Sequence, residues 1–182
     1  IYILPYAIPA FISIIVFKGL LNPDYGVVNE WFAPLYELFN IEPINWFRTK
    51  GSSRAAVLLV NTWLGFPYMF LIATGALQSI PKELLEAAKV DGASPRQSFW
   101  RITFPLLLVS ISPLLIGAFA FNFNNFTLIF LLTSGGPPIV GADVAVGYTD
   151  ILISFTYDLA IAGGRGYQLS LIHISEPTRR RL

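Results

Sequence analysis

Apolar and polar residues fall into long blocks along this chain rather than into the short periods of a soluble fold. The first block, Ile1 to Leu21, carries one charge, Lys18, near its end. As a continuous helix it would measure about 31 Å, enough to cross a hydrocarbon core. Pro5 and Pro9 are its kink points. The second block, Ala55 to Leu77, runs 23 residues without a charge, and the third, Phe104 to Leu132, runs 29. As one helix the third would measure about 43 Å, more than the core needs. It therefore tilts, or its first turns lie at the interface around Pro105 and Pro113. Ile151 to Ala162 is a further apolar helix, at 12 residues too short to span.

The connecting segments are wetter. Pro23-Asp24-Tyr25-Gly26 predicts a turn. Val27 to Phe39 mixes aromatics with Glu30 and Glu37, the pattern of a short amphipathic helix on a membrane surface. Trp31, Phe32, Trp46 and Phe47 suit an aromatic belt. Thr133 to Asp150 is a loop broken at Gly135-Gly136-Pro137-Pro138, and Gly163-Gly164-Arg165-Gly166 ends the last helix. The segment Gln78 to Thr103 holds four cations against three in Asn22 to Arg54, which leans towards a cytoplasmic middle loop.

Composition narrows the picture. Of 182 residues, 54% are hydrophobic and 13% charged. A soluble domain has about 25% charged residues, so the balance favours lipid. A net charge of +1 gives no nucleic-acid footprint, and the absence of cysteine excludes disulfides and thiolate metal sites. No metal site and no cofactor are expected. The chain begins at Ile1 with no basic segment before the apolar run, so it is read as lacking its natural start.

The middle loop carries the most specific chemistry. Pro81 suits a first helical position, and Glu83 to Lys89 are mostly strong helix formers. Gly92 stands where the chain leaves that helix, with a positive φ expected. Ser94, Pro95 and Gln97 form an N-cap, N1 and N3 set, a capping box. A rigid knob between two spans follows. An ordinary capped loop is the plain reading of these features. The string Glu86-Ala87-Ala88, then Asp91-Gly92-Ala93, Phe99, Ile102 and Pro105, resembles the EAA loop of ABC importer permeases. That resemblance implies docking of the first short helix into a separate ATPase. Glu86 and Asp91 would be polar contacts, Gly92 the tight turn, and Ala87 and Ala88 the points of close approach. The chain has no G-x-x-x-x-G-K-[ST] phosphate loop, so it is expected to be no enzyme, with ATP hydrolysis on a partner.

Candidate sugar-lining residues lie within the spans. Asn61, Leu64, Gly65 and Tyr68 are spaced i, i+3, i+4, i+7. Asn122 and Asn125 are three apart, beside Phe121, and on a continuous helix share a face. Amides beside aromatic rings suit a sugar, whose hydroxyls bond Asn and whose apolar faces lie on Phe or Tyr. The plain alternative is interhelical packing, and it is the better reading for Asn61 and Asn124. The strings ILPYAIPAFISIIVFKGL, VNTWLGFPYMF, FAFNFNNFTLI and GYTDILISFTY narrow the resemblance to the larger membrane subunit of maltose/maltodextrin importers. The resemblance implies substrate-binding roles for Leu64, Gly65, Tyr68, Phe121, Asn122 and Asn125. A serine expected before the third string is Ala118 here, which leaves the exact oligosaccharide open.

The fold class expected is therefore all-α and membrane-embedded, a partial ABC importer permease helical bundle. It covers 1–168, with spans at about 1–21, 55–77 and 104–132 and a coupling loop at 78–103. The resemblance implies a bacterial inner-membrane, multi-pass subunit that moves maltose or maltodextrin. Implied partners are a MalG-like second permease subunit, a MalK-like ATPase dimer, an extracytoplasmic sugar-binding protein and membrane lipid, with no nucleic acid. Rival readings are a permease for another oligosaccharide or glycerol phosphate, or an ion-coupled secondary transporter. An anion would want a cation in the site, and the spans offer only Lys18. Ion coupling would want a carboxylate or histidine within 55–77 or 104–132, and none is there.

The permease-like reading stops near Gln168. The eleven residues Leu169 to Arg179 look like an in-frame translation of a transposon-based sequencing adapter, so 169–182 are expected to be an artefact replacing the last span. His173 and Arg179 to Arg181 then carry no role. Amplification across this junction from source DNA is expected to lack the Ile172-His173-Ile174-Ser175-Glu176 codons; recovering them would refute the artefact.

Overall fold

The computed structural model describes residues 2–142 and 144–162. The adapter-like tail therefore lies outside the described residues. Among them the chain is helical, with no strand and one isolated antiparallel bridge, Pro138 with Gly147. The helices are α1 (Ala10–Leu20), α2 (Val27–Phe39), α3 (Lys50–Gln78), α4 (Lys82–Val90), α5 (Pro95–Ser98), α6 (Phe104–Phe123), α7 (Phe126–Leu132) and α8 (Leu152–Tyr157). A 3₁₀ turn, Leu4–Ala7, precedes α1; π-helical turns, Phe99–Thr103 and Asp158–Ala162, precede α6 and follow α8.

Two helical runs are long and apolar enough to cross a membrane: Lys50–Gln78, and Pro95–Leu132. They contain the blocks predicted at 55–77 and 104–132. The block predicted at 1–21 is not one helix. Ile8 is extended, at φ −114° and ψ 131°. A proline disfavours the helical region for the residue before it, so Pro9 interrupts the helix at Ile8. The 11 residues of α1 then reach only about 16 Å, too short to span.

The chain divides into two compact units. One comprises the described residues up to Ala10 and Thr62–Phe123. Here the Tyr2 ring lies 5.0 Å from Phe70 and 6.1 Å from Phe66, so the segment that leads into the 3₁₀ turn is held to α3 by aromatic contact. α6 is apolar all round, with only Ile111 buried, while Val109, Ile116 and Phe119 are more than two-thirds exposed. A helix with no polar face is a membrane helix or a deep core helix, and exposure this high selects the first. Its hydroxyls bond back to their own helix, Ser110 to the Leu106 carbonyl and Ser112 to that of Val109, both at 3.0 Å. No donor is then stranded in hydrocarbon.

The other unit comprises Phe11–Asn61 and the described residues from Asn124 onward. It holds most of the core: Ile14, Leu21, Ala56, Val60, Leu128, Ile129 and Leu132 are all buried. Lys18 donates to the Leu131 carbonyl at 3.1 Å, a cation at the C-terminal end of α7. The loop between α7 and α8 is tied by side chains. Thr149 donates to the Gly136 carbonyl at 2.7 Å, and the Asp150 carboxylate accepts from the Gly147 N–H at 2.7 Å and the Ser154 hydroxyl at 2.8 Å. Gly135 makes the close approach possible, because a Cβ there would overlap the Asp150 carboxylate. Arg54 donates to the Tyr148 carbonyl at 3.2 Å, and Lys50 lies 5.5 Å from the centre of the Tyr148 ring.

Candidate functional site

The knob between α4 and α5 is built from local signals. α4 carries Glu83 in its first turn and Lys89 in its last, both favourable to the helix dipole. Pro81 is the residue that precedes the helix rather than its first member, one position from expectation. At the other end Gly92 has φ +77°. Its N–H donates to the Lys89 carbonyl at 3.0 Å, and the Ala93 N–H donates to Ala88 at 2.9 Å. That pair of bonds is a Schellman motif with Gly92 in the left-handed position. Two residues later the capping box closes. The Gln97 N–H donates to Ser94 Oγ at 3.3 Å, and the Ser94 N–H donates to Gln97 Oε1 at 2.8 Å. One helix is thus ended and the next begun with four residues between them, which leaves the turn little freedom.

Of the five residues assigned to coupling, Glu86, Ala87, Asp91 and Gly92 are exposed, while Ala88 is 7% exposed and turned inward. Ala87 is therefore the small residue available for close approach, and Ala88 packs within the chain. Beneath the turn lies a cleft of about 300 Å³ bounded by Asp91, Gly92, Gln97, Ser98, Arg101 and Ile102. Arg101 was not singled out from the sequence; its i+4 spacing from the capping residue Gln97 was the available signal.

The candidate sugar residues sit on α3, on α6 and at the cap that precedes α7. Leu64, Gly65 and Tyr68 form one half-buried face in the middle of α3. A Cβ built at Gly65 would meet nothing within 4 Å, so there is open space beside it. Phe121, 71% exposed, and Asn122 lie in the last turn of α6. Asn122 Nδ2 donates to the Ala118 carbonyl at 2.7 Å, which leaves its Oδ1 as an acceptor. Asn125 lies elsewhere than the spacing implied. The helix stops at Phe123, and Asn125 is non-helical at φ −76° and ψ 72°. Its Oδ1 accepts from the Leu128 N–H at 3.3 Å and so caps α7, leaving its amide N–H groups as donors. Asn122 and Asn125 therefore share no face of a continuous helix, and they belong to different compact units. An asparagine side chain competing for backbone N–H groups is the physical cause of the break.

The sequence model of the binding-protein-dependent transport system inner membrane component family matches residues 1–174. The chain belongs to this family. The match extends six residues past Gln168, where the permease-like reading of the sequence stops. The chain is 51% identical over 169 residues to the maltose/maltodextrin transport system permease protein MalF of Salmonella typhimurium, covering 93% of this chain. It is 48% identical over the same length to the MalF of Escherichia coli. It spans 32% of the length of both relatives. Among solved structures, a bacterial alginate ABC transporter in complex with an alginate pentasaccharide-bound periplasmic protein superposes with a TM-score of 0.71 at 25% identity, covering 91% of this chain and 54% of that one. A second alginate-importing ABC transporter gives 0.72 at 22% identity over 100% of this chain and 64% of that one, a likeness of fold. The fold is that of an all-α ABC importer permease.

Proposed function

We propose that the chain is part of the membrane-spanning subunit of an ATP-driven maltose or maltodextrin importer. The observation that carries this reading is the 51% identity to a MalF over 93% of the chain. In this reading the subunit performs no covalent chemistry. A sugar-binding protein outside the membrane delivers the ligand, and a MalK-like ATPase pair closes on ATP. The knob from α4 to α5, through Glu86, Ala87, Asp91 and Gly92, passes that closure to α6, and the helices rock between two arrangements as two-state packings do. Leu64, Gly65 and Tyr68 present an apolar face with a phenol. Phe121 offers a ring for stacking, Asn122 an acceptor and Asn125 donors to hydroxyls. A MalG-like subunit completes the path.

The test uses the complete permease reconstituted in vesicles with its second subunit, ATPase and binding protein. ATP-dependent uptake of labelled maltose is expected, competed by maltodextrin and not by glycerol phosphate. Vigorous uptake of another solute with no uptake of either glucan would overturn the substrate assignment.

A further inference from the structure

α2 is an amphipathic helix that sits the wrong way round for water. At 3.6 residues per turn, Leu38, Trp31, Leu35, Phe39 and Phe32 fall on one arc of about 120°. The other side carries Asn29, Tyr36, Glu37 and Glu30. In a soluble protein the apolar arc faces the core. Here it is Asn29 and Tyr36, on the side away from that arc, that are held by hydrogen bonds. Asn29, 9% exposed, donates from Nδ2 to the Ile44 carbonyl at 3.0 Å. Its Oδ1 accepts from the Trp46 indole at 3.3 Å and the Tyr36 hydroxyl at 3.4 Å. The apolar arc looks away from the chain: Trp31 and Leu38 are each 75% exposed and Phe39 is 65% exposed.

We infer that this arc lies in the boundary between headgroups and acyl chains of the lipid bilayer, as a surface anchor beside the membrane-crossing α3. Three observations favour lipid over water or a protein partner. The arc is contiguous, aromatic and uncharged, and its one polar atom, the Trp31 indole nitrogen, suits the interface. Glu30 and Glu37 are both exposed and adjoin the arc on one edge, so the helix can lie half-submerged with its carboxylates in water. The segment after α2 is pinned to it through Ile44 and Trp46, and α3 begins at Lys50, so α2 is held beside a span. Because α2 carries two acids and no base, its attachment comes from apolar burial and not from attraction to anionic headgroups.

The test places single nitroxides on the full-length permease, assembled with its partners, through Leu35→Cys, Leu38→Cys and Glu37→Cys. Vesicles of phosphatidylethanolamine are compared with vesicles that also contain phosphatidylglycerol. All three labels point outward, so assembly and ATP-driven uptake are expected to survive labelling. Labels at 35 and 38 are expected to collide with oxygen more than with the water-soluble nickel chelate NiEDDA. The label at 37 is expected to show the reverse ratio, and both ratios to be the same in either lipid. Shielding of 35 and 38 from both reagents would mean that protein covers the arc and would overturn the inference. A chelate-dominated ratio there would place the arc in water, and lipid contact only with phosphatidylglycerol would make the headgroup charge the ligand; either result also overturns it.

Discussion

Replacing Gly92 with valine is expected to reduce sugar-stimulated ATP hydrolysis by about tenfold in the assembled transporter. Gly92 has φ +77°, and a side chain placed there would meet no atom within 4 Å. Space is therefore not the constraint; backbone conformation is. An L-residue in the left-handed region costs roughly 1–2 kcal/mol, and a β-branched residue is a genuine outlier there. About 1.4 kcal/mol corresponds to a factor of ten in the equilibrium constant between the native turn and its alternatives. Loss of the turn also releases the Lys89 and Ala88 carbonyls from their bonds to Gly92 and Ala93, so the end of α4 and the start of α5 lose their relation. The decisive comparison is Gly92→Asn. Asparagine is bulkier than glycine but visits the left-handed region readily. It is expected to keep most of the activity, whereas a need for empty space would make it fail like valine. Wild-type stimulation in Gly92→Val would show that the positive φ is dispensable to coupling.

The parts of this structure legible in the sequence are those set by neighbours along the chain. The boundaries of α2, the positive φ at Gly92 and the capping box of Ser94 and Gln97 each depend on fewer than about four residues of context. Charge-free runs likewise mark the two membrane-crossing stretches, because lipid imposes composition directly. What hydropathy could not reveal was interruption inside an apolar run. Pro9 has the sequence signature of a kink, yet its restriction of Ile8 ends the first helical segment altogether. The break before α7 has no glycine or proline to announce it. Its signal was the Asn124-Asn125 pair, with Asn125 three residues before the N–H it caps. The ties of Thr149, Asp150 and Ser154, and of Lys18 to Leu131, join residues brought together by the packed chain, which periodicity does not report.

That break makes Asn125 the most informative position for the proposed sugar site, because its observed capping role and its proposed sugar contact can be separated. Asn125→Ala removes the cap of α7, a loss of about 0.5–2 kcal/mol, together with any amide donated to a sugar hydroxyl. Both the yield of assembled transporter and the maltose uptake are expected to fall. Serine caps a helix about as well as asparagine but is shorter and lacks the amide. Asn125→Ser is therefore expected to assemble normally and to raise the KM for maltose. Loss of one neutral hydrogen bond is worth about 0.5–1.5 kcal/mol, roughly a 2- to 13-fold change. Asn122→Ala is the parallel case on α6. The amide it loses is bonded to the Ala118 carbonyl within its own helix, so the fold loses little while the acceptor Oδ1 is removed. A similar rise in KM with unchanged assembly is expected. Uptake identical to wild type across a range of maltose concentrations, in both Asn125→Ser and Asn122→Ala, would take these asparagines out of the site and leave Asn125 a purely structural cap.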